Sequence, residues 1–192
     1  MKKFKILIPA YNDWQSLSKL LNNINNEIEN LNHEISIIII DDASTFDRQL
    51  EIEKLSNINS IKILSMKKNM GHARCIAAGL KYIFEKEEFD YVIPMDGDGE
   101  DRPQEIIEFI KSTENAPEQS IVGERVKRSE AFIFRFCYFF HKIVTLVFTG
   151  HSIKFGNFTC LTKSTVEKMI NEKATWNSFS GALTKVEKNK IS

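Results

Sequence analysis

Short apolar runs alternate with amphipathic helical patterns along most of this chain, and this alternation limits the folds available to it. Strands are predicted at residues 4–9, 35–40, 61–66, 91–95 and 121–123. These runs are short and apolar, and the run at 35–40 is almost entirely β-branched, as is typical of buried strands. Between them, apolar side chains recur three and four residues apart, which is the spacing of one helix face. The pattern predicts an α/β fold with a mostly parallel sheet and helices on both sides.

Helices are predicted at residues 17–31, 48–55 and 71–84, and from Pro103 onward, because proline suits the first turn of a helix. The later part of the chain has weaker patterns. They favour a strand at 158–162, a short helix at 165–170 and a polar, frayed end at 185–192. No linker, repeat or low-complexity segment interrupts the chain, so residues 1–192 are expected to form one domain.

The composition excludes several classes of function. Lys plus Arg equal Asp plus Glu at 26 each, and no basic run is present, which argues against a nucleic-acid partner. The three cysteines are widely spaced, which argues against a disulfide framework or a zinc site and favours a cytoplasmic location. The N-terminus becomes polar too soon for a signal peptide.

Polar clusters follow each of the five predicted strands, at residues 11–13, 41–44, 69–72, 96–98 and 123–125. In open α/β sheets, ligands bind at the carboxyl ends of the strands, where such clusters meet. The ordinary polarity of strand ends accounts for one or two of them. It accounts poorly for two separate acidic pairs, so this edge of the sheet is the predicted functional site.

The sequence Asp96-Gly97-Asp98 carries the most specific chemistry in the chain. Two carboxylates separated by one small residue can bind a hard cation such as Mg²⁺ or Mn²⁺, which in turn binds a diphosphate. By itself the pattern is equally compatible with a solvated acidic loop. The chain has neither G-x-G-x-x-G after its first strand nor a P-loop sequence, which excludes those two phosphate-binding modes.

These segments together resemble family 2 glycosyltransferases with the GT-A fold. The similar segments are residues 6–12 (ILIPAYN), 39–44 (IIDDAS), 69–74 (NMGHAR) and 95–98 (MDGD). Three further segments resemble the dolichol-phosphate mannose synthase and polyprenyl-phosphate sugar transferase branch: residues 100–103 (EDRP), 123–128 (GERVKR) and 156–161 (GNFTCL). That branch usually has glutamine at the position of Glu100, and it usually continues beyond the point where this sequence stops.

The resemblance implies a nucleotide-binding half at about 1–101 and an acceptor half at about 102–175. The implied donor is a UDP- or GDP-sugar, bound by Pro9, Ala10, Tyr11, Asp13, Asp41, Asp42, Gly71, Arg74, Asp96, Gly97, Asp98 and Glu100. Among these, Pro9, Tyr11 and Asp42 would hold the base and ribose. Uracil and guanine offer an imide-type N–H to a carboxylate, and adenine does not.

The resemblance also implies catalytic roles for Asp96, Asp98 and Arg125, with the two aspartates holding Mg²⁺ or Mn²⁺. The implied acceptor phosphate would be bound by Arg125, Arg128 and Arg135. After Arg128 the chain has no paired carboxylates that would serve as a base, and a phosphate acceptor is already anionic. The sequence therefore favours a lipid-phosphate acceptor and metal-assisted inverting transfer.

Residues 131–149 predict a very apolar helix with a narrow polar stripe that includes Arg135 and Lys142. Such a helix lies in a membrane interface on the cytoplasmic side, or it packs in the core or against a second copy of the chain. Both interpretations stay open. His72 is expected to act as a helix cap beside Gly71.

Two other functions remain as alternatives. One is a binding protein for nucleotide sugars that has lost catalysis. The other is a phosphatase of the haloacid-dehalogenase type, in which Asp96 would be the nucleophile and Asp98 the acid. The second is weaker, because that family places its motif on the first strand, whereas here it follows the fourth.

Overall fold

A six-stranded sheet forms the centre of the structure, a computed structural model that describes residues 1–50, 55–124 and 155–187. Its strand order is β3-β2-β1-β4-β6-β5, and β6 is antiparallel to both of its neighbours. The strands β1 to β4 are parallel. The strands are β1 (Lys3–Ala10), β2 (Glu34–Asp41), β3 (Ser60–Ser65), β4 (Tyr91–Pro94), β5 (Ile121–Glu124) and β6 (Phe155–Thr162).

Helices cover both faces of this sheet, as the alternating pattern predicts. The helices within the described residues are α1 (Trp14–Glu27), α2 (His72–Lys86), α3 (Pro103–Asn115), α4 (Lys163–Asn171) and α5 (Phe179–Val186), with a 3₁₀ turn at Lys173–Trp176. Apolar residues of α1 and α3 pack on one face, and those of α2, α4 and α5 on the other. Successive residues of β1 alternate between the two cores, with Ile6 and Ile8 in the first and Leu7 in the second.

The structure corrects two sequence-based predictions. The helix predicted at 48–55 does not begin at Arg48, since residues 47–50 are irregular; residues 51–54 lie outside the described residues. The polar end predicted at 185–192 is not entirely frayed, because α5 continues to Val186. This helix is anchored by the buried side chains of Phe179, Ala182 and Leu183. The helix was difficult to predict from the sequence because only one of its faces is apolar.

The parallel register brings the strand ends to one edge. Ala10 at the end of β1 pairs with Asp41 at the end of β2, and Asp41 also pairs with Ser65 at the end of β3. On the other side of β1, Leu7 pairs with Pro94 at the end of β4. The segments after these strands therefore emerge side by side, as expected for the binding edge of an α/β sheet.

Gly79 sets how closely α2 approaches the sheet. A Cβ atom at this position would lie 2.9 Å from Leu7 Cδ2 and 3.1 Å from Ile40 Cγ1. Both neighbours are buried in the core, Leu7 completely, so neither has room to move aside. A side chain at position 79 would push the helix away from β1 and β2.

We expect Gly79→Ala to destabilise the fold. Because the added Cβ would come too close to two buried side chains, overpacking should cost about 2–3 kcal/mol, the upper part of the usual range. The gain in helix propensity is about 1 kcal/mol, so the net loss should be about 1–2 kcal/mol. Urea unfolding measures the change. Lys81→Ala, at an exposed position of the same helix, should stay within about 0.5 kcal/mol of the parent. A variant as stable as the parent would show that the helix–sheet contact is looser than described.

Candidate functional site

A cavity of about 380 Å³ opens where the strand ends meet. This volume lies in the usual range for small-molecule sites. Three of its lining residues are carboxylates and one is a histidine. The described residues that line it are Pro9, Ala10, Tyr11, Asp13, Leu17, His72, Asp96, Gly97, Asp98 and Asn157. The cavity is therefore acidic along its described wall, which attracts cations.

The loops after β1 and β2 are joined by Asn12. Its backbone N–H donates to Ser44 Oγ at 2.9 Å, and its Oδ1 accepts from the N–H groups of Thr45 and Phe46 at 2.8 and 3.1 Å. Asn12 adopts a positive φ of 57°, a conformation that asparagine tolerates better than most residues. Next to it, Asp13 caps α1 by accepting from the Ser16 N–H. These contacts shape the cavity wall formed by residues 10–13.

Asp41 is buried and serves the loop that follows it. Its Oδ1 accepts from the Ser44 N–H at 2.9 Å, and its Oδ2 accepts from Arg48 Nη2 at 2.9 Å. Burial acts to raise the pKa of Asp41, but the hydrogen bonds from Ser44 and Arg48 outweigh it, so the pKa lies below its ordinary value. The guanidinium of Arg48 also lies over the Trp14 ring. This carboxylate is therefore engaged with protein partners.

Asp42 holds the loop that precedes α2. Its two oxygens accept from the N–H groups of Met70 and Gly71 at 2.7 and 2.8 Å, and only 4% of the residue is exposed. The Cys75 thiol lies close to the same carboxylate. Burial, together with its hydrogen bond to Asp42, raises the pKa of Cys75 to about 12, so this thiol is not a nucleophile at neutral pH.

The segment Asp96 to Asp101 forms a tight turn after β4. The Asp96 N–H donates to Asp101 Oδ2 at 2.8 Å, and the Glu100 N–H donates to Asp98 Oδ1 at 2.9 Å. A Cβ atom at Gly97 would lie 3.0 Å from the carbonyl oxygen of Pro9, so glycine lets this turn approach β1 closely. Gly99 has a φ of 80°, which is costly for other residues. The turn thereby places Asp96 and Asp98 at the cavity.

His72 does not act as the expected cap. It is the first residue of α2, and its Nε2 lies 2.9 Å from Asp96 Oδ1. The cap position belongs to Gly71, and no side chain caps this helix. Asn157 of β6 approaches the same Asp96 oxygen with its Nδ2 at 3.5 Å. The prediction that His72 caps the helix is therefore wrong, and its imidazole belongs to the cavity wall.

The charge state of His72 follows from these neighbours. The hydrogen bond to Asp96 raises the pKa of His72 above its ordinary value, whereas partial burial lowers it. The charges of Asp96, Asp101 and Asp98 add to the increase. His72 is consequently a hydrogen-bond donor toward Asp96 in its cationic form and in the neutral Nε2–H form.

Not all of the predicted donor residues line the cavity. Those that do are Pro9, Ala10, Tyr11, Asp13, Asp96, Gly97 and Asp98. Those that do not are Asp41, Asp42, Gly71, Arg74 and Glu100. The predicted acceptor residues Arg125, Arg128 and Arg135, and the apolar segment 131–149, lie outside the described residues.

Sequence reasoning missed His72 and Asn157 as site residues. A signal was present for each: His72 stands in the polar cluster after β3, and Asn157 in a segment that resembles the same glycosyltransferase branch. The sequence does not show toward which neighbours these two side chains are directed. His72 points toward β4, and Asn157 comes from a strand that enters the sheet antiparallel next to β4.

Two properties of the described residues bear on metal binding and on membrane insertion. Within residues 1–50, 55–124 and 155–187, no group of three or more His, Cys, Asp or Glu side chains converges to hold a metal ion. In the same ranges, every helix is too short or too polar to cross a bilayer.

The fold and its acidic strand-end turn define the class of protein: a GT-A glycosyltransferase fold. The crystal structure of glucosyl-3-phosphoglycerate synthase from Mycobacterium tuberculosis, in complex with Mn²⁺, UDP-glucose and phosphoglyceric acid, is similar with a TM-score of 0.58. It is 11% identical in sequence, and the match covers 87% of this chain and 59% of that one. At this identity the likeness establishes the fold alone.

Within this class, the chain belongs to glycosyl transferase family 2, whose model matches residues 5–175. An undecaprenyl-phosphate 4-deoxy-4-formamido-L-arabinose transferase of Proteus mirabilis is 28% identical over 137 residues, which are 70% of this chain and 40% of that protein. A dolichol-phosphate mannosyltransferase of Pyrococcus furiosus is 27% identical over 125 residues, 65% and 34% respectively. The chain thus matches less than half of either relative. The resemblance to the polyprenyl-phosphate branch is confirmed.

We expect Asp42→Asn to destabilise the fold whether or not a ligand is bound. An amide keeps one acceptor oxygen, so one of the two partly buried N–H groups of Met70 and Gly71 would lose its partner, at a cost of about 1–3 kcal/mol. Urea unfolding of the free protein measures this. The matched control is Asp47→Asn, an exposed position in the neighbouring loop, which should change the free energy of unfolding by less than about 0.5 kcal/mol. Equal stability of the two variants would contradict the assigned role.

Proposed function

We propose that this protein transfers a sugar from a nucleotide-sugar donor, a UDP- or GDP-sugar, to a polyprenyl phosphate. The observation that carries the proposal is the placement of Asp96 and Asp98 along a cavity of about 380 Å³ at the carboxyl ends of parallel strands. Family membership supports the reaction class. The names of the relatives from Proteus mirabilis and Pyrococcus furiosus support the lipid-phosphate acceptor.

The residues present fit a divalent cation. Asp96 and Asp98 supply carboxylate oxygens, the ligands preferred by Mg²⁺ and Mn²⁺. A cation held by one or two carboxylates keeps positions for substrate phosphates, so a third protein ligand is not required. Without a cation, the negative wall formed by Asp13, Asp96 and Asp98 would repel a diphosphate. When bound, the cation would neutralise charge on the departing nucleoside diphosphate.

Different residues of the cavity are suited to bind different parts of the donor. Tyr11 is 47% exposed at the mouth, so its ring is available to a base or ribose. Asp42, by contrast, is buried and does not line the cavity, so its proposed contact with the base stays a prediction. Gly97 lines the cavity wall, and its lack of a side chain lets the turn lie close to the Pro9 carbonyl.

The transfer step needs no carboxylate base. An oxygen of the acceptor phosphate is already anionic and attacks the anomeric carbon of the sugar. The bond from that carbon to the donor phosphate oxygen breaks, and the electron pair leaves with the nucleoside diphosphate. Attack from the opposite side inverts the anomeric centre. Arg125, Arg128 and Arg135 are proposed from the sequence alone to orient the acceptor phosphate.

We expect Asp98→Asn to abolish metal-dependent nucleotide binding. The amide keeps the size of the side chain but is a poor ligand for a hard cation. UDP affinity is measured by calorimetry with and without Mn²⁺. The parent should bind UDP more tightly with Mn²⁺, whereas the affinity of the variant with Mn²⁺ should be lower by about tenfold or more. Asp90→Asn, at the opposite end of the sheet beside β4, is the matched control. An unchanged Mn²⁺ enhancement in the Asp98 variant would refute the metal role.

We expect sugar transfer to a polyprenyl phosphate and none to the matching free polyprenol, because only the phosphate supplies an anionic nucleophile. Radiolabelled UDP- and GDP-sugars, with each lipid in detergent, measure product formation by chromatography. Nucleotide binding without transfer to either lipid would favour the binding protein that has lost catalysis. Release of inorganic phosphate would favour a phosphatase, an alternative that the family assignment already opposes.

Peripheral contact with the cytoplasmic face of a membrane follows from a lipid acceptor and is part of the proposal. Self-association through the apolar segment 131–149 stays a prediction from the sequence.

A further inference from the structure

The side chain of His72 links two elements that meet at the cavity. It begins α2, yet its Nε2 reaches Asp96 Oδ1 at 2.9 Å in the turn after β4. Histidine is a poor helix cap, and the cap position of α2 is occupied by Gly71, with no side-chain capping hydrogen bond. The helix therefore gains no capping hydrogen bond from this imidazole. The contact that it makes is with the cavity carboxylate.

Asp96 is held from three separate parts of the chain. Its N–H donates to Asp101 Oδ2 at 2.8 Å, which ties its backbone to the segment leading into α3. Its Oδ1 faces His72 of α2 and, at 3.5 Å, the amide of Asn157 in β6. Both side-chain donors address the same oxygen. Together they fix the rotation of the carboxylate plane about the Cβ–Cγ bond.

The orientation of the Asp96 carboxylate decides where its oxygens lie relative to a bound cation and its ligand. Hydrogen bonds to a ligating carboxylate hold its oxygens in place, and their loss costs metal affinity about 10–100-fold in known sites. Asp98 lies on the turn itself, where the Glu100 N–H holds its Oδ1. Asp96 instead depends on partners distant in sequence, of which His72 makes the shorter contact.

We propose that His72 is a positioning residue, which orients Asp96 for binding of a divalent cation and a nucleoside diphosphate. This inference rests on the proposed function of the same site. His72 acts through Asp96 and takes no part in bond making. Its side chain is 46% exposed, so its replacement removes the contact to Asp96 without opening a buried cavity.

The test compares His72→Ala and His72→Gln with the parent. Glutamine has an amide N–H at about the reach of Nε2 and can donate to Asp96, whereas alanine cannot. Lys81→Ala, on the exposed face of the same helix, is the control. UDP affinity is measured by calorimetry with Mn²⁺ and with EDTA, and the melting temperature of each free protein is recorded alongside.

His72→Ala should weaken UDP binding about tenfold with Mn²⁺ and by less than about twofold with EDTA. His72→Gln should recover affinity to within about threefold of the parent, and Lys81→Ala should match it. If the role of His72 were purely structural, His72→Ala would lower the melting temperature and would weaken UDP binding equally with Mn²⁺ and with EDTA. His72→Gln would then not restore the affinity measured with Mn²⁺ selectively. Either that pattern, or unchanged affinity in His72→Ala, overturns the positioning role.

The same experiment separates this inference from the function on which it rests. If the parent binds UDP no better with Mn²⁺ than with EDTA, the proposed metal-dependent site fails, and the role of His72 fails with it. If the parent shows the enhancement and His72→Ala keeps it, the proposed function stands and the positioning role alone is refuted.

Discussion

The parallel pairing of β1 on both of its edges is the constraint on which the rest of the structure depends. β2 pairs with β1 along its whole length, β4 pairs with its residues 4–7, and residues 4–9 are buried. Because one strand serves as reference for both neighbours, its carboxyl end determines where residues 10–13, 41–44 and 96–98 emerge. The close contact of Gly97 with the Pro9 carbonyl is a direct result of that register.

The four aspartates at the carboxyl ends of β2 and β4 are placed in two different electrostatic environments. Asp41 and Asp42 are buried and engaged by N–H groups and by Arg48, so they hold loops together. Asp96 and Asp98 line the cavity, where their charge faces its open space. Two acidic pairs at the same edge of one sheet thus have different surroundings. The first pair holds neighbouring loops by hydrogen bonds, and the second contributes negative charge to the described cavity wall.

Much of the fold was predictable because burial on both faces leaves a clear record in the sequence. The run around Ile93 is apolar throughout, and Ser36 is the one polar residue in the run around Ile37, so both segments have the pattern of buried strands. The helix α5 was not predictable in this way, since its apolar face is short and framed by serine, threonine and lysine. Nor was the antiparallel entry of β6, which depends on pairing between Tyr91 and Thr162, distant in sequence.

The candidate site, like the fold, could be predicted from the sequence only in part. Residues adjacent to a strand end, such as Tyr11 and Asp98, follow from position in the chain alone. The separate tasks of Asp41 and Asp96 do not, because they depend on which donors reach each carboxylate in three dimensions. His72 illustrates the point: its place after Gly71 suggested a cap, whereas its imidazole is directed across the helix start to Asp96.

The insertion of β6 between β4 and β5 has a consequence for how the protein is made. Strands β1 to β4 are complete by Pro94, but the strand that covers the free edge of β4 comes from residues 155–162. During synthesis, the edge of β4 stays unpaired while the roughly 60 residues between Pro94 and Phe155 are made. At ordinary elongation rates this takes about three seconds or more. An unpaired β-edge is prone to pair with other chains in that interval. Asn157 joins the cavity in the same event, so the site is completed only when the edge is closed.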